Sequence, residues 1–317
     1  MLADEHDPRL NLLNSLDFSA CRVEFSDTPI VLLCGGPVKF KLTPESPDPP
    51  VLSLRHAIAN LHPSYEIFRP EEIDNWQSDG VFKDLMSFES ELAAICSLVV
   101  IILESEGAIA ELGAFSQLPD LNEKIVAVCP EKFRNATSFI NFGILRFIAA
   151  KKHTNVKIYP WIPDHLSFAV SPELVDDVVS DIQGELDQLA KSQLLRVNHH
   201  SHVMVLICEL LRFFTALKEN EILEYLIIFG VNVQPDALKG KLFLLCEFDL
   251  IKMQGYSDAH FYLSGKASHH KLRLALKTIS KPIDVLRIQM ECLDYYKNNS
   301  KHRNRIRAIA EAKARAK

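Results

Sequence analysis

The seven cysteines, at positions 21, 34, 96, 129, 208, 246 and 292, include no C-x-x-C pair. A disulfide framework or a zinc ribbon needs closer spacing, so neither is expected, and most of these thiols read as small buried hydrophobes in a reducing, cytoplasmic setting. No apolar run approaches the length of about 18 residues that marks a membrane span, and the acidic start MLADEHD predicts no signal peptide. Positive charge is also short. Lys and Arg number 35 against 41 Asp and Glu, a net of −6 at pH 7, which excludes a uniformly basic nucleic-acid binder but leaves room for a local basic patch. What remains is an ordinary globular mix, 48% hydrophobic and 24% charged, too apolar for disorder throughout. A chain of 317 residues allows two domains, or one large one.

Between about residues 29 and 160 short apolar runs alternate with helical patterns. Pro29-Ile-Val-Leu-Leu-Cys34 is stopped by Gly35-Gly36-Pro37, and Tyr65-Glu-Ile-Phe68 by Arg69-Pro70. Leu98-Val-Val-Ile-Ile-Leu103 and Ile125-Val-Ala-Val-Cys129 are uninterrupted and β-rich, as strands buried on both faces are. Val156–Tyr159 closes the series, with helices predicted around 52–61, 82–95, 108–118 and 139–150. Such alternation implies βαβ units in a parallel sheet, with ligands bound at the carboxyl ends of the strands. The loops 34–39, 70–80, 104–107 and 130–141 are therefore the ones expected to carry chemistry.

After Pro163 the pattern changes. A helix is predicted from Ser171-Pro172 to about Leu195, then a linker at Asn198–His202. Helices over 202–217, 221–229 and 236–248 precede two short strands, 250–254 and 260–263, which is the order of a winged helix. The fold class read from the sequence is α/β, a five-stranded parallel Rossmann-like domain followed by a mostly α winged-helix domain. The expected boundaries are an N-terminal extension over 1–28, the α/β domain over 29–162, a connecting helix and linker over 163–200, the winged helix over 201–282 and a basic helix over 283–317.

Two acids stand out. Glu111 lies near the head of the helix after the third strand, where it can face a ligand held over Gly35-Gly36 or merely complement the helix dipole. Glu89 lies on the preceding helix beside Glu91, and the pattern alone leaves open which of the two faces the site. Two carboxylates converging on a sugar suit glycosidic cleavage, one attacking the anomeric carbon while the other positions hydroxyls or handles a proton.

Gly35-Gly36 after the first strand, an acid on the helix before the third, and Glu104-Ser-Glu-Gly107 followed by Glu111-Leu-Gly-Ala-Phe115 together resemble the nucleoside 2-deoxyribosyltransferases. With Phe68-Arg-Pro-Glu71 and Ser138-Phe-Ile-Asn-Phe-Gly143 added, residues 29–147 are similar to the effector proteins of type II retrons, which join such a domain to a winged-helix DNA-binding domain. The resemblance implies that Glu111 is the nucleophile and Glu89 the second, sugar- or base-contacting acid. It also implies that Ser105 binds a ribose hydroxyl or phosphate, that Gly35, Gly36 and Gly107 let backbone approach the substrate, and that Asn141 closes the pocket. It implies an antiphage toxin that cleaves NAD+ to nicotinamide and ADP-ribose, with NAD+ as substrate and no resident cofactor. A purine (deoxy)nucleotide, or transfer of ADP-ribose to a macromolecule, is the alternative. The partners implied are a reverse transcriptase and its msDNA, which hold the effector inactive in an oligomeric assembly away from any membrane. A non-enzymatic, nucleotide-sensing DNA-binding regulator is the competing class.

The remaining features are weighed on chemistry. His199, His200 and His202 cluster in a linker with no suitably spaced Cys or acid, so no metal site is expected. Cys34 has no evident neighbour to lower its pKa and reads as a strand-end thiol. Trp76 can stack on a base or anchor a partner. The basic tail, with Arg303, Arg305 and Arg307 at its centre, is expected to contact phosphates in a salt-sensitive way. Lys239, Lys241, Lys252 and Lys266, near the third helix and the wing, are further candidates.

Overall fold

The computed structural model describes residues 6–39, 47, 49–60, 65–73, 80–163, 170–267, 269–278 and 283–315. The chain forms two compact units, Asp27–Trp76 with Asp84–Leu189, and Met1–Ser26 with Gln77–Lys83 and Ala190–Lys317. In chain order, helix α1 (Pro8–Ser15) and strand β1 (Arg22–Glu24) open the second of these. The first then runs through β2 (Ile30–Cys34), α2 (Leu54–Ala59), β3 (Glu66–Phe68), α3 (Leu85–Ile95), β4 (Leu98–Ile102), α4 (Glu106–Ser116) and β5 (Ile125–Pro130). A π-helical turn (Ile140–Leu145), α5 (Arg146–Lys151), β6 (Val156–Tyr159) and α6 (Pro172–Asp187) complete it.

The five strands are all parallel, in the order β3-β2-β4-β5-β6. One face packs Val31, Leu33, Val100, Ile102, Val126 and Val128 against Leu54 and Ile58 of α2 and against Val178 and Ile182 of α6. Strand geometry turns the alternate residues, Leu32, Cys34, Val99 and Ile101, to the opposite face, and there α4 packs on β4 and β5. Because β2 connects to β3 on one side while the chain returns to β4 on the other, the carboxyl ends of β2 and β4 form the topological switch point. The loops that begin at Gly35 and Glu104 lie there.

The helix expected to be a connector belongs to the sheet. Val175, Val178, Ile182 and Leu186 of α6 join its core, and the carboxylate of Glu185 is paired with Lys152 and, at 3.0 Å, with Lys157. The α/β unit therefore extends to Leu189 instead of ending near 162. The N-terminal segment is likewise no free extension. β1 is the centre of an antiparallel sheet with β7 (Ser192–Leu194) and β10 (Lys271–Arg273), so it packs with the C-terminal residues.

That unit continues with α7 (His200–Phe214), α8 (Glu219–Ile228), α9 (Pro235–Glu247), the hairpin β8 (Ile251–Tyr256) and β9 (Ala259–Ser264), then α10 (Val285–Asn298) and α11 (Arg303–Arg315). Leu217, between α7 and α8, exchanges both backbone hydrogen bonds with Tyr262 of the hairpin, at 3.0 and 2.7 Å. Three helices and a hairpin tied in this way make the winged-helix arrangement. His200 and His202 lie inside α7, not in a linker, and His202 is buried with Nδ1 accepting from the Arg196 amide at 3.0 Å.

An ionic cluster holds α1, α8 and α11 together. Glu221 accepts from Arg9 at 2.8 Å and from Arg305 at 2.5 and 2.6 Å, and the Arg305 guanidinium lies 4.6 Å from the centre of the Tyr296 ring. Removing the acid leaves a buried cation without its partner. Glu221→Ala is therefore expected to cost about 3–5 kcal/mol, while Glu224→Ala, exposed on the same helix, costs under about 0.5 kcal/mol. Urea unfolding followed by circular dichroism distinguishes the two.

Candidate active site

The site grows from one buried carboxylate at the switch point. Glu104, just past β4, accepts from the Gly36 amide at 2.9 Å, the Leu54 amide at 2.8 Å and the Arg55 amide at 3.0 Å. It thereby fills the position over Gly35-Gly36 and the start of α2 where an incoming anion could have bound. The glycines are required for this internal packing. A Cβ on Gly36 would lie 2.7 Å from Cβ of Ser53, and one on Gly35 would lie 3.1 Å from both Cβ of Arg55 and Oε1 of Glu104. The close approach read from the Gly-Gly pair is real, but the group approached is Glu104, and the Gly36 N–H is already spent.

Arg55 is the cation at the centre. Its Nε donates to the Leu33 carbonyl at 2.8 Å, and its two terminal nitrogens grip Glu71 at 2.8 and 2.7 Å. The guanidinium is buried while Glu71 remains half exposed. Burial works against both charges, but the fork-to-fork pairing holds Glu71 below, and Arg55 above, its ordinary value. Neither residue was singled out from the sequence. Glu71 lay in a quoted motif, and Arg55 in a helix that looked merely amphipathic.

Around this pair stand the two predicted acids. α4 begins at Glu106 because the Ser105 hydroxyl caps it, accepting from the Ala108 amide at 3.1 Å while donating to the Gly35 carbonyl at 3.1 Å. Ala108, Leu112 and Phe115 are buried by the helical period, and Glu111, between them in sequence, is half buried. Its Oε2 is shut off from solvent and has no hydrogen-bond partner among the described residues. Burial raises its proton affinity, against the pull of Arg55 and of the neighbouring Cys34 thiol. On α3, capped by Asp84, Glu89 is buried and pushed up to about 7 by desolvation, then by the negative charges of Glu111 and Glu71. Glu89 thus senses the charge of Glu111. Cys34 is buried with its thiol pushed well above the ordinary range by burial and by Glu111, in keeping with an inert strand-end residue.

The other predicted residues are placed differently. Ser105 has its hydroxyl committed to the cap and to the Gly35 loop, so it positions α4. Gly107 is exposed in the first turn, with room for a Cβ. The Asn141 side-chain amide donates to the Arg134 and Ala136 carbonyls at 3.3 and 3.0 Å, and its own amide is capped by Ser138. It fastens the loop after β5 instead of reaching for a ligand. Phe139, at the head of the predicted helix over 139–150, is 80% exposed. Trp76 lies outside the described residues.

A family model described as "STM3845 retron effector protein" matches residues 52–253. The chain belongs to this retron effector family. Two curated proteins of Escherichia coli are similar to it over shorter stretches. "Retron Ec86 putative ribosyltransferase/DNA-binding protein" is 30% identical over 122 residues, 37% of this chain and 36% of that protein. "Retron Ec73 putative ribosyltransferase/DNA-binding protein" is 37% identical over 70 residues, 22% of each. The matched stretches span little more than a third, and less than a quarter, of those relatives.

The retron effector's predicted phosphate contacts divide sharply. Arg305 is buried on Glu221, and Lys241 is buried in α9, so neither can meet a phosphate in this conformation. Both point inward because of helical phase, Arg305 sharing a face with Ala308 and Ile309. Lys239, Lys252, Lys266, Arg303 and Arg307 reach the surface. Of these, Lys239 and Lys252 are near Asp236 and Asp249, at 3.7 and 3.4 Å, and Arg307 donates to the Tyr256 hydroxyl at 2.6 Å. Among the described residues no helix is long and apolar enough to cross a membrane.

The shifted carboxyl of Glu89 has a consequence for stability. An ordinary glutamate releases its proton near 4.5, but folded Glu89 holds it to about 7. Over that window the folded state binds more protons than the unfolded one, so this residue's contribution to stability falls as pH rises. Glu89→Gln removes the loss. Its melting temperature relative to the unmodified protein is expected to be higher at pH 8 than at pH 5, measured by thermal unfolding at both.

Proposed function

We propose that this retron effector cleaves an N-glycosidic bond with Glu111 as nucleophile, and that its substrate is NAD+. The observation that carries the reading is the buried, unpartnered Oε2 of Glu111 beside a second acid whose pKa is near 7. A carboxylate oxygen with no partner costs free energy unless a ligand uses it. Two carboxyls whose environments separate their proton affinities are the usual arrangement for a nucleophile and its acid–base partner. The relatives' names, which join ribosyltransferase to DNA-binding, support glycosyl transfer as the reaction class.

The chemistry follows from the charges. Arg55 favours the ionised form of Glu111. The carboxylate attacks the anomeric carbon of the nicotinamide-bearing ribose and a C–O ester bond forms. The C–N bond breaks with its electron pair passing to the pyridinium nitrogen, so nicotinamide leaves neutral and needs no proton. In the second step Glu89, poised near neutrality, takes a proton from water. The resulting hydroxide attacks the anomeric carbon and releases ADP-ribose with Glu111 again a carboxylate. Glu104 and the Glu71–Arg55 pair hold the strand ends and do not react.

In the cell this activity would be toxic, and the reading includes restraint by a reverse transcriptase and its msDNA until infection disturbs the complex. The exposed cations of the C-terminal unit supply a surface for that nucleic acid.

Purified protein free of partners is expected to convert NAD+ to nicotinamide and ADP-ribose, followed by mass spectrometry against a panel of purine nucleotides and deoxynucleotides. Glu111→Gln should lower turnover by about 10³-fold or more while the protein stays folded, because the nucleophile is removed. Glu89→Gln should lose less and should flatten the limb of the pH profile near 7. A folded Glu111→Gln variant that keeps full turnover or toxicity overturns the assignment. Turnover of a deoxynucleotide in place of NAD+ would keep the nucleophile and replace the substrate.

A further inference from the structure

An exposed aromatic strip on the α/β unit plays no part in the chemistry above. Along the π-helical turn and α5, Phe139, Phe142 and Phe147 are 80%, 48% and 38% exposed. Helix interiors of soluble proteins seldom leave three phenylalanines in water on neighbouring turns. Their surroundings are cationic. The Arg146 guanidinium lies 4.5 Å from the centre of the Phe142 ring, and the Lys151 ammonium 5.8 Å from that of Phe147. Between Lys132 and Lys152 the sequence contains no Asp or Glu, although the chain as a whole carries −6. Lys152 is paired with Glu185, whereas among the described residues Arg146 and Lys151 are in no ion pair and are themselves exposed.

The outermost ring is also seated for the purpose. Cβ on Gly143 would come within 3.1 Å of Phe139, so the glycine lets that ring lie against the helix and present a face to solvent. From Phe139 to Phe147 the helix advances about 12 Å, the length of roughly four bases at the 3.4 Å spacing of a stacked strand. A purely apolar strip would suit a protein partner. Flat rings interleaved with cations, on a stretch of chain without acids, suit a polyanion whose bases are open for stacking.

We propose that Phe139, Phe142, Arg146, Phe147 and Lys151 form a platform for single-stranded nucleic acid, separate from the phosphate contacts of the C-terminal unit. The rings stack unpaired bases and the two cations meet the phosphates. A duplex hides its base faces and gains nothing from the rings. The platform stands independently of the Glu111 chemistry.

The test uses the full chain and a fluorescein-labelled poly-dT of about 15 nucleotides, long enough to cover the strip, with a duplex of equal length as control. Binding is read by anisotropy over a salt series. The double variant Phe139→Ala/Phe142→Ala is expected to weaken single-strand binding about tenfold or more and to leave duplex binding within about twofold. Phe139→Tyr/Phe142→Tyr should restore it, since a phenol ring still stacks. Arg146→Glu should weaken binding and reduce the salt slope by about 0.7. Single-strand affinity that is absent in the unmodified protein, or unchanged in the folded alanine variant, overturns the proposal. So does an oligomer of the unmodified protein that the alanine variant converts to monomer with no change in strand binding, because a second copy would then be what covers the rings.

Discussion

The switch-point end of the α/β unit depends on a single buried carboxylate that accepts from three backbone amides. Glu104 joins the Gly35-Gly36 turn, the first turn of α2 and the end of β4, segments that are far apart in sequence. Burial raises its proton affinity while the three amide donors oppose that rise. A charge placed so deeply is tolerable only with such donors. Once it is fixed, Arg55 is fixed too, because its backbone amide is one of the donors and its side chain emerges against the Leu33 and Gly36 carbonyls. Arg55 in turn sets the field in which Glu71, Glu89 and Glu111 titrate. The acids differ because their surroundings differ, Glu71 being half exposed and clasped by Arg55 while Glu89 is buried, where desolvation and the charges of Glu111 and Glu71 outweigh the pull of Arg55.

Much of this was legible in advance for physical reasons. Strands buried on both faces announce themselves by unbroken β-branched runs, so β4 and β5 and the parallel order followed from Leu98–Leu103 and Ile125–Cys129. The placement of Glu111 and Glu89 near one another followed from their positions, one near the head of the helix after the third strand and one on the helix before it. Arg55 was not legible. Its partners, Glu71, Glu104 and the Leu33 carbonyl, converge only after the crossovers of the sheet are made, and no local spacing encodes that. The sheet of β1, β7 and β10 was equally hidden, since three-residue strands are too short to show a period. Gly36 was read as a place where backbone approaches a substrate, whereas the group that meets its amide is a side chain of the same protein, Glu104.

The basic residues of the C-terminal unit teach the converse lesson. Charge runs were counted along the sequence, but helical phase decides which charges reach solvent. Arg303 and Arg307 do, while Arg305, two residues from either, is folded onto Glu221 and stacked near Tyr296 and Phe261. It holds α11 to α8 instead of reaching for phosphate. The retron effector family thus combines, in this chain, a sheet edge organised around a guanidinium with a winged-helix unit whose core is itself partly ionic.

The most direct measurement is covalent trapping of the nucleophile. NAD+ bearing an arabino-configured 2′-fluorine on the nicotinamide ribose slows breakdown of a glycosyl ester by destabilising the oxocarbenium-like transition state. Incubation with the protein, proteolysis and mass spectrometry should find the fluorinated ADP-ribosyl group on the peptide containing Glu111, attached to that side chain. Attachment to Glu89 or Glu71 instead, or steady turnover by a folded Glu111→Gln variant with no adduct at any carboxylate, would contradict the account.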